Sequence, residues 1–202
     1  MEKELNKIVP NLLNIAKKAA NLGNTDVLYE LGWFYIERKG VEQDYTKSFE
    51  CCQKAVELGN INALHRIGYF YNIGIGTEQN YSKAIQYFQK SAEFGNSNAL
   101  VNLGFSYYYQ KGVEQNCLKE FDYFQKASKL GNVSAIYNLG ICYLTGNGVE
   151  KKIEKAFECF KSIERKGNSN ALFQIGSLYE KGNGVNQDII KCQLKKEIFM
   201  QI

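Results

Sequence analysis

Few residues of this 202-residue chain are of the types that carry out catalysis or bind metal ions. His65 is the single histidine, so the sequence offers neither a His-paired nucleophile nor a metal site with several imidazoles. The six cysteines form no C-x-x-C pair and lie at positions 51, 52, 117, 142, 159 and 192. We therefore expect no catalytic residue, no metal site and no cofactor, and we interpret the cysteines as packing residues with reduced thiols.

Charge and hydropathy exclude two further classes of partner. Lys and Arg number 25 against 21 Asp and Glu, and this formal charge of +4 is spread along the chain. A balance this mild argues against a nucleic acid or an anionic membrane as partner. No apolar run reaches 18 residues, and the charged beginning lacks the apolar segment of a signal peptide. We therefore predict a cytoplasmic protein.

Several residue types recur every 36 residues through the chain. The dipeptide Gly-Asn lies at positions 23–24, 59–60, 95–96, 131–132 and 167–168. A second glycine lies at 32, 68, 104, 140 and 176, a tyrosine at 35, 71, 107, 143 and 179, and a lysine at 47, 83, 119, 155 and 191. One period kept by different residue types indicates a repeat protein, in which neighbouring units bury each other's apolar faces.

Each repeat is predicted to contain two helices. The first ends near the repeat tyrosine, and the second covers a stretch such as residues 81–94, where apolar residues follow helical spacing. The Gly-Asn dipeptide is typical of a left-handed helix end followed by a new helix start. Glycines such as Gly104 fall inside the first helices, where glycine costs roughly 1 kcal/mol relative to alanine. We therefore expect close packing against them, so that Gly104→Leu would damage the stack.

The fourth repeat carries a family pattern: Ala135, Leu139-Gly140, Tyr143, Gly146, Gly148-Val149, Lys155-Ala156, Phe160 and Gly167-Asn168. This pattern resembles the Sel-1-like repeat, a relative of the tetratricopeptide repeat. The resemblance implies an all-α, right-handed α-α superhelix, or solenoid, over residues 1–202. We predict a half repeat at 1–24 followed by repeats at 25–60, 61–96, 97–132, 133–168 and 169–202, the last of them degenerate. The apolar end (Ile198, Phe199, Met200, Ile202) either folds back on the last repeat or contacts a partner.

The resemblance also implies that the first helices line a concave groove. Positions opposite their apolar stripe alternate between amide or charged side chains and aromatic rings, a combination suited to binding peptide. The predicted partner-binding residues are Tyr29, Glu30, Trp33, Asn62, His65, Arg66, Tyr69, Asn98, Asn102, Phe105, Tyr137 and Asn138. As the alternative, the polar residues cap helices or join repeats, and the aromatic residues belong to the core between repeats.

The function implied by the resemblance is that of a non-catalytic scaffold or adaptor, which binds a protein or peptide in the groove. A detached regulatory repeat region of a larger signalling protein, such as a kinase, is the alternative. An enzyme would need paired carboxylates in the groove, where the polar positions are mostly amides. The residues do not choose the partner, the pathway or the oligomeric state, nor do they distinguish a complete protein from part of a longer array.

Overall fold

The computed structural model describes residues 14, 18–37 and 42–180 of the chain. Most of the predicted half repeat, the second part of the fifth repeat and the apolar residues near the end lie outside these described residues. The predictions made for Ile198, Phe199, Met200 and Ile202 therefore stay predictions.

The described residues form helices joined by short turns, with no strand among them. Besides a helical stretch at 18–21, nine helices have described bounds: α1 Thr25–Glu37, α2 Tyr45–Glu57, α3 Asn62–Ile73, α4 Tyr81–Glu93, α5 Ser97–Tyr108, α6 Cys117–Lys129, α7 Val133–Thr145, α8 Ile153–Glu164 and α9 Ser169–Glu180. Odd-numbered helices up to α9 are the predicted first helices of the repeats, and even-numbered ones are the second helices.

The chain divides into two compact units, residues 1–114 and residues 115–202. In the first unit each helix from α1 to α4 packs against the helix that follows it in the chain. In the second unit the helices from α6 to α9 pack in the same sequential way. Packing between sequence neighbours is the arrangement expected of a helical repeat.

The Gly-Asn dipeptides end one helix and begin the next, as predicted. Gly95 has a φ of 80°, and its N–H donates to the carbonyl of Ala92. The side chain of Asn96 then accepts a hydrogen bond from the N–H of Ala99 at 3.1 Å, which caps α5. The equivalent glycines also have positive φ, and the equivalent asparagines cap in the same way at Asn24, Asn60, Asn132 and Asn168.

Three of the glycines inside the first helices, Gly32, Gly68 and Gly140, are sites of close helix packing, as expected from the sequence. The expectation for Gly104 itself stays a prediction. A Cβ added to Gly68 would lie 2.6 Å from Cδ1 of Phe88, and one added to Gly140 would lie 2.6 Å from Cε1 of Phe160. Both phenylalanines belong to the second helix of the same repeat and are fully buried. The loss of helix propensity at these glycines is therefore offset by aromatic side chains that pack against the helix backbone.

The turn between the two helices of a repeat needs a left-handed residue. Gly74 and Gly146 have φ values of 70° and 82°, and at the same place in the third repeat Gln110 has a φ of 57°. A residue with a Cβ is strained in this conformation by roughly 1–2 kcal/mol.

We expect Gln110→Gly to raise the free energy of unfolding by about 1 kcal/mol, because glycine removes this strain at some entropic cost. Urea denaturation followed by circular dichroism measures the change. Glu114→Gly, in the same connection but without a positive φ, is expected to be neutral or destabilising. Equal effects of the two substitutions would contradict the strain at Gln110.

Candidate functional site

The first helices of the first unit bring an arginine between two aromatic rings. Arg66 of α3 is 9% exposed, and its guanidinium carbon lies 3.2 Å from the ring centroid of Trp33 on α1. The same carbon lies 5.1 Å from the ring centroid of Tyr29. Burial lowers the pKa of Arg66, while Tyr29 and the carboxylate of Glu30 act in the opposite direction. Arginine remains protonated in proteins, so the two rings hold a desolvated cation.

His65 joins α3 to α5 through a hydrogen bond. The side-chain amide of Asn102 lies 2.9 Å from Nε2 of His65, and Phe88 packs against the imidazole at 5.7 Å between ring centroids. Burial and, after it, the charge of Arg66 lower the pKa of His65. The imidazole is therefore neutral at pH 7, with Nε2 accepting from the Asn102 amide and Nδ1 carrying the proton.

The remaining predicted residues of the first unit are more open to solvent. Tyr69 is 48% exposed, and Glu30, Asn62 and Asn98 are exposed on the same set of first helices. Phe105 is half-buried, and its ring stacks on Tyr109 at 5.9 Å between centroids. We call the predicted residues of α1, α3 and α5 the first-helix face: Tyr29, Glu30, Trp33, Asn62, His65, Arg66, Tyr69, Asn98, Asn102 and Phe105.

Some contacts of these helices are those of the alternative interpretation, in which polar residues join repeats. Asp26 of α1 accepts a hydrogen bond at 2.9 Å from the side chain of Asn60, the residue that caps α3, so this contact joins two successive first helices. The contacts of Arg66 and His65 likewise run between successive first helices. The first-helix face is thus both an inter-repeat contact and a partly exposed surface, with Tyr69, Asn62 and Asn98 on its open side.

Two predicted residues belong to the second unit. Tyr137 packs its ring 5.6 Å from Phe160, and its hydroxyl lies 3.5 Å from the side-chain nitrogen of Gln174 on α9. Asn138 donates to the backbone carbonyl of Ser134 within α7. Both side chains are half-buried.

Sequence reasoning missed a buried carboxylate in the second unit. Glu120 of α6 is 3% exposed, and it accepts a hydrogen bond from the side chain of Asn147 at 2.7 Å. The thiol of Cys142 lies 3.8 Å from the other carboxylate oxygen. The sequence carries one signal of this residue: position 120 is a glutamate, whereas the equivalent residues of the other described repeats are small, Ser48, Ala84 and Ala156.

Two buried cysteines, Cys52 and Cys142, have the chemistry of packing residues. Burial raises the pKa of Cys52 and of Cys142 to about 12, so neither is a thiolate at neutral pH. Among the residues that the structure describes, the cysteines form no disulfide bond, and no group of three His, Cys, Asp or Glu side chains converges on a metal position. Within the same residues, no helix has the length and apolar character to cross a bilayer.

His65 predicts a loss of stability of the first unit in mild acid. Folding lowers the pKa of His65 below its ordinary value of 6.5. At pH values between these two pKa values, the unfolded chain therefore binds more protons than the folded chain. The free energy of unfolding therefore falls as the pH drops through that window. His65→Gln keeps an acceptor for Asn102 and removes this component. Urea titrations at several pH values measure the difference between the two proteins, and identical pH dependence would contradict the neutral, buried imidazole.

Glu120 predicts the opposite dependence in the second unit. Burial raises its pKa above the ordinary 4.5, so the folded chain holds an extra proton just above that value. The free energy of unfolding therefore falls as the pH rises from the ordinary pKa of a glutamate to the raised pKa of Glu120. Glu120→Gln retains an acceptor for Asn147 and is expected to abolish this pH dependence. The measurement is the difference in unfolding free energy between the variant and the wild type, taken at acidic and at neutral pH. A difference that is independent of pH would contradict the prediction.

Comparison with known proteins identifies the family. A model described as the Sel1 repeat matches residues 25–60, 61–96, 97–132, 133–168 and 169–193. A Sel1 repeat protein from Oxalobacter formigenes is 31% identical over 94% of this chain and 78% of its own, with a TM-score of 0.81. The comparison with curated proteins gave no match.

Two further solved structures are similar. c5321, a protective antigen of uropathogenic Escherichia coli with an SLR fold, is 29% identical over 84% of this chain, with a TM-score of 0.78. This chain spans 36% of the length of that protein. The immunity protein Pa5087 of Pseudomonas aeruginosa is 24% identical with a TM-score of 0.52, which shows the fold alone.

The chain belongs to the Sel1 repeat family. The predicted resemblance and the predicted all-α repeat superhelix are both confirmed. Sel1 repeat proteins generally mediate protein–protein interactions, and the family is generally a non-catalytic repeat scaffold.

Proposed function

We propose that this chain is a non-catalytic scaffold that binds a protein or peptide partner on the first-helix face, in the groove predicted for the first helices. The observation that carries the proposal is the Arg66 guanidinium held between Trp33 and Tyr29, next to the exposed ring of Tyr69. Arginine and rigid aromatic rings are the side chains that most often dominate the binding energy of protein interfaces.

The chemistry of the face suits an extended peptide. The exposed amide of Asn62 offers a donor and an acceptor, as a peptide backbone does. Tyr69 supplies apolar area with a polar tip at a small cost in conformational entropy. Arg66 and Trp33 are already immobilised by their mutual packing, so binding orders few further side chains.

The two predicted residues of the second unit, the class of partner and the location also belong to this proposal. Tyr137 and Asn138 are candidate contacts on the first helix of the fourth repeat, in the second unit. The partner is a protein, neither nucleic acid nor membrane, and the location is the cytoplasm. A regulatory repeat region of a larger signalling protein such as a kinase is the alternative, and in that case the same face would hold a segment of that protein.

Affinity capture from the native cell tests the proposal. The wild-type chain is compared with the triple variant Trp33→Ala, Tyr69→Ala, Phe105→Ala, once circular dichroism has shown that the variant keeps its helices. Phe94→Ala is the matched control, because Phe94 is an aromatic residue of the same unit, 62% exposed and outside the first-helix face. We expect a captured protein to be lost with the triple variant and retained with the control. Retention by the triple variant would contradict the proposal.

A further inference from the structure

A polar pocket lies among α2, α3 and α4 of the first unit, and its residues are not part of the first-helix face. It has a volume of about 260 Å³ and is lined by Gln53, Tyr71, Lys83, Gln86, Tyr87 and Lys90. Two of these residues are cationic and none is a carboxylate. The composition of the lining therefore favours an anion.

The two lysines are held beside two stacked tyrosine rings. The rings of Tyr71 and Tyr87 lie 5.8 Å apart and are nearly parallel. Nζ of Lys83 lies 5.1 Å from the centroid of Tyr71, and Nζ of Lys90 lies 5.9 Å from that of Tyr87. The tyrosines thus position both ammonium groups at the pocket while leaving their hydrogen-bond donors available.

In the second repeat neither lysine has the carboxylate that pairs with its equivalent in the first or the third repeat. At the position equivalent to Lys83, Lys47 of the first repeat forms an ion pair with its N-cap residue Asp44 at 2.8 Å. The N-cap residue of α4 is Asn80, which is neutral. The change removes the carboxylate and keeps the helix cap, since asparagine and aspartate cap equally well.

The second lysine shows the same change. At the position equivalent to Lys90, Lys126 of the third repeat forms an ion pair with Asp122 at 2.7 Å. The residue equivalent to Asp122 is Gln86 in the second repeat, whereas it is Glu50 in the first and Glu158 in the fourth. Neither Lys83 nor Lys90 forms an ion pair with any residue that the structure describes. Among the four described second helices, α2, α4, α6 and α8, only α4 has both lysines and no carboxylate at the positions of Asn80 and Gln86.

We propose that this pocket binds a phosphate monoester. A phosphate dianion carries three acceptor oxygens, which match two ammonium groups together with the neutral donors of Gln86 and the Tyr87 hydroxyl. The Tyr87 hydroxyl keeps its proton at neutral pH because burial, the nearby Tyr71 and the carboxylate of Glu57 raise its pKa. Glu57 is not part of the lining, and its carboxylate accepts a hydrogen bond from Gln53.

Nuclear magnetic resonance titration of the ¹⁵N-labelled chain at about pH 7.5 and constant ionic strength tests this site. The probes are inorganic phosphate and phenyl phosphate, with sodium chloride as the reference. We expect saturable shifts of the amide signals of residues 83–90 with both phosphates and none with chloride. Asn80→Asp introduces the carboxylate that the first repeat has at Asp44, and Gln86→Glu introduces the one that the other three described second helices have at this position. Each should weaken binding roughly fivefold to tenfold.

The matched control is Gln89→Glu, an isosteric change of equal charge on the same helix but outside the pocket. It is expected to change the affinity by less than about twofold, since an exposed charge at that distance is screened by salt. All three variants replace an amide by a carboxylate of the same shape at exposed positions, so folding is retained. Absence of saturable shifts, or an equal loss of affinity with Gln89→Glu and Gln86→Glu, would overturn the proposal. Because Lys83 and Lys90 lie outside the first-helix face, this test is independent of the proposed scaffold function.

Discussion

Gly68→Ala is expected to lower the free energy of unfolding by about 2 kcal/mol, although alanine in place of glycine inside a helix would by propensity add roughly 1 kcal/mol. The reason is that the new Cβ would lie 2.6 Å from the Phe88 ring and 3.2 Å from the backbone carbonyl of Ala84. Phe88 is fully buried, so its ring has little room to move away. Urea denaturation followed by circular dichroism measures the effect, and Gly68→Leu is expected to prevent the first unit from folding.

A double-mutant cycle separates this clash from other effects. Phe88→Leu alone creates a cavity, which costs about 1–3 kcal/mol in a packed core. Combined with Gly68→Ala, the smaller leucine leaves space for the new methyl group, so the double variant should be more stable than the sum of the single changes predicts. Additive effects, or a Gly68→Ala variant more stable than wild type, would contradict the packing described for this glycine.

Arg66→Ala is expected to destabilise the first unit by about 2–3 kcal/mol. Truncation removes the side chain that packs between Trp33 and Tyr29 and exposes both rings to water. Arg66→Lys should cost about 1 kcal/mol, since the ammonium keeps the charge but lacks the planar surface that stacks on the indole. Trp33 is the single tryptophan of the chain, so its fluorescence reports directly on this contact.

The expected spectroscopic result is a red-shifted Trp33 emission in Arg66→Ala, with Arg66→Lys intermediate. Urea denaturation followed by the same fluorescence gives the loss of stability in the unit that contains the stack. Asn62→Ala is the control, because Asn62 is exposed on the same helix. Unchanged emission and stability in Arg66→Ala would show that the guanidinium does not pack on the indole.

The period of 36 residues was sufficient to predict the fold, because each recurrent residue has one local role. Gly-Asn requires a left-handed residue and an N-cap, and the structure has both at Gly95 and Asn96. The glycines inside the first helices signalled close packing, and the aromatic ring of Phe88 fills the space at Gly68. These features depend on contacts within one repeat or across one turn, which fixed sequence spacing determines.

The details of the site depend on contacts between repeats and were only partly predictable. The sequence placed Arg66 and Trp33 on the same side of successive first helices, but their stacking depends on the distance and rotation between those helices. The pocket around Lys83 and Lys90 was not predicted, because Lys83 was considered only as one of the residues that recur every 36 positions. The residues three positions before Lys83 and four positions before Lys90 are Asn80 and Gln86, where the first repeat has the carboxylates of Asp44 and Glu50.

The most direct test of the scaffold function is site-specific photo-crosslinking to the captured partner. A benzoylphenylalanine residue replaces Tyr69, which is 48% exposed on the first-helix face, and in a second protein it replaces Gln89, which is exposed on α4. The proposed function predicts a crosslink to the partner from position 69 and none from position 89. A crosslink from position 89 with none from position 69 would contradict it and would move the interface to the second helices.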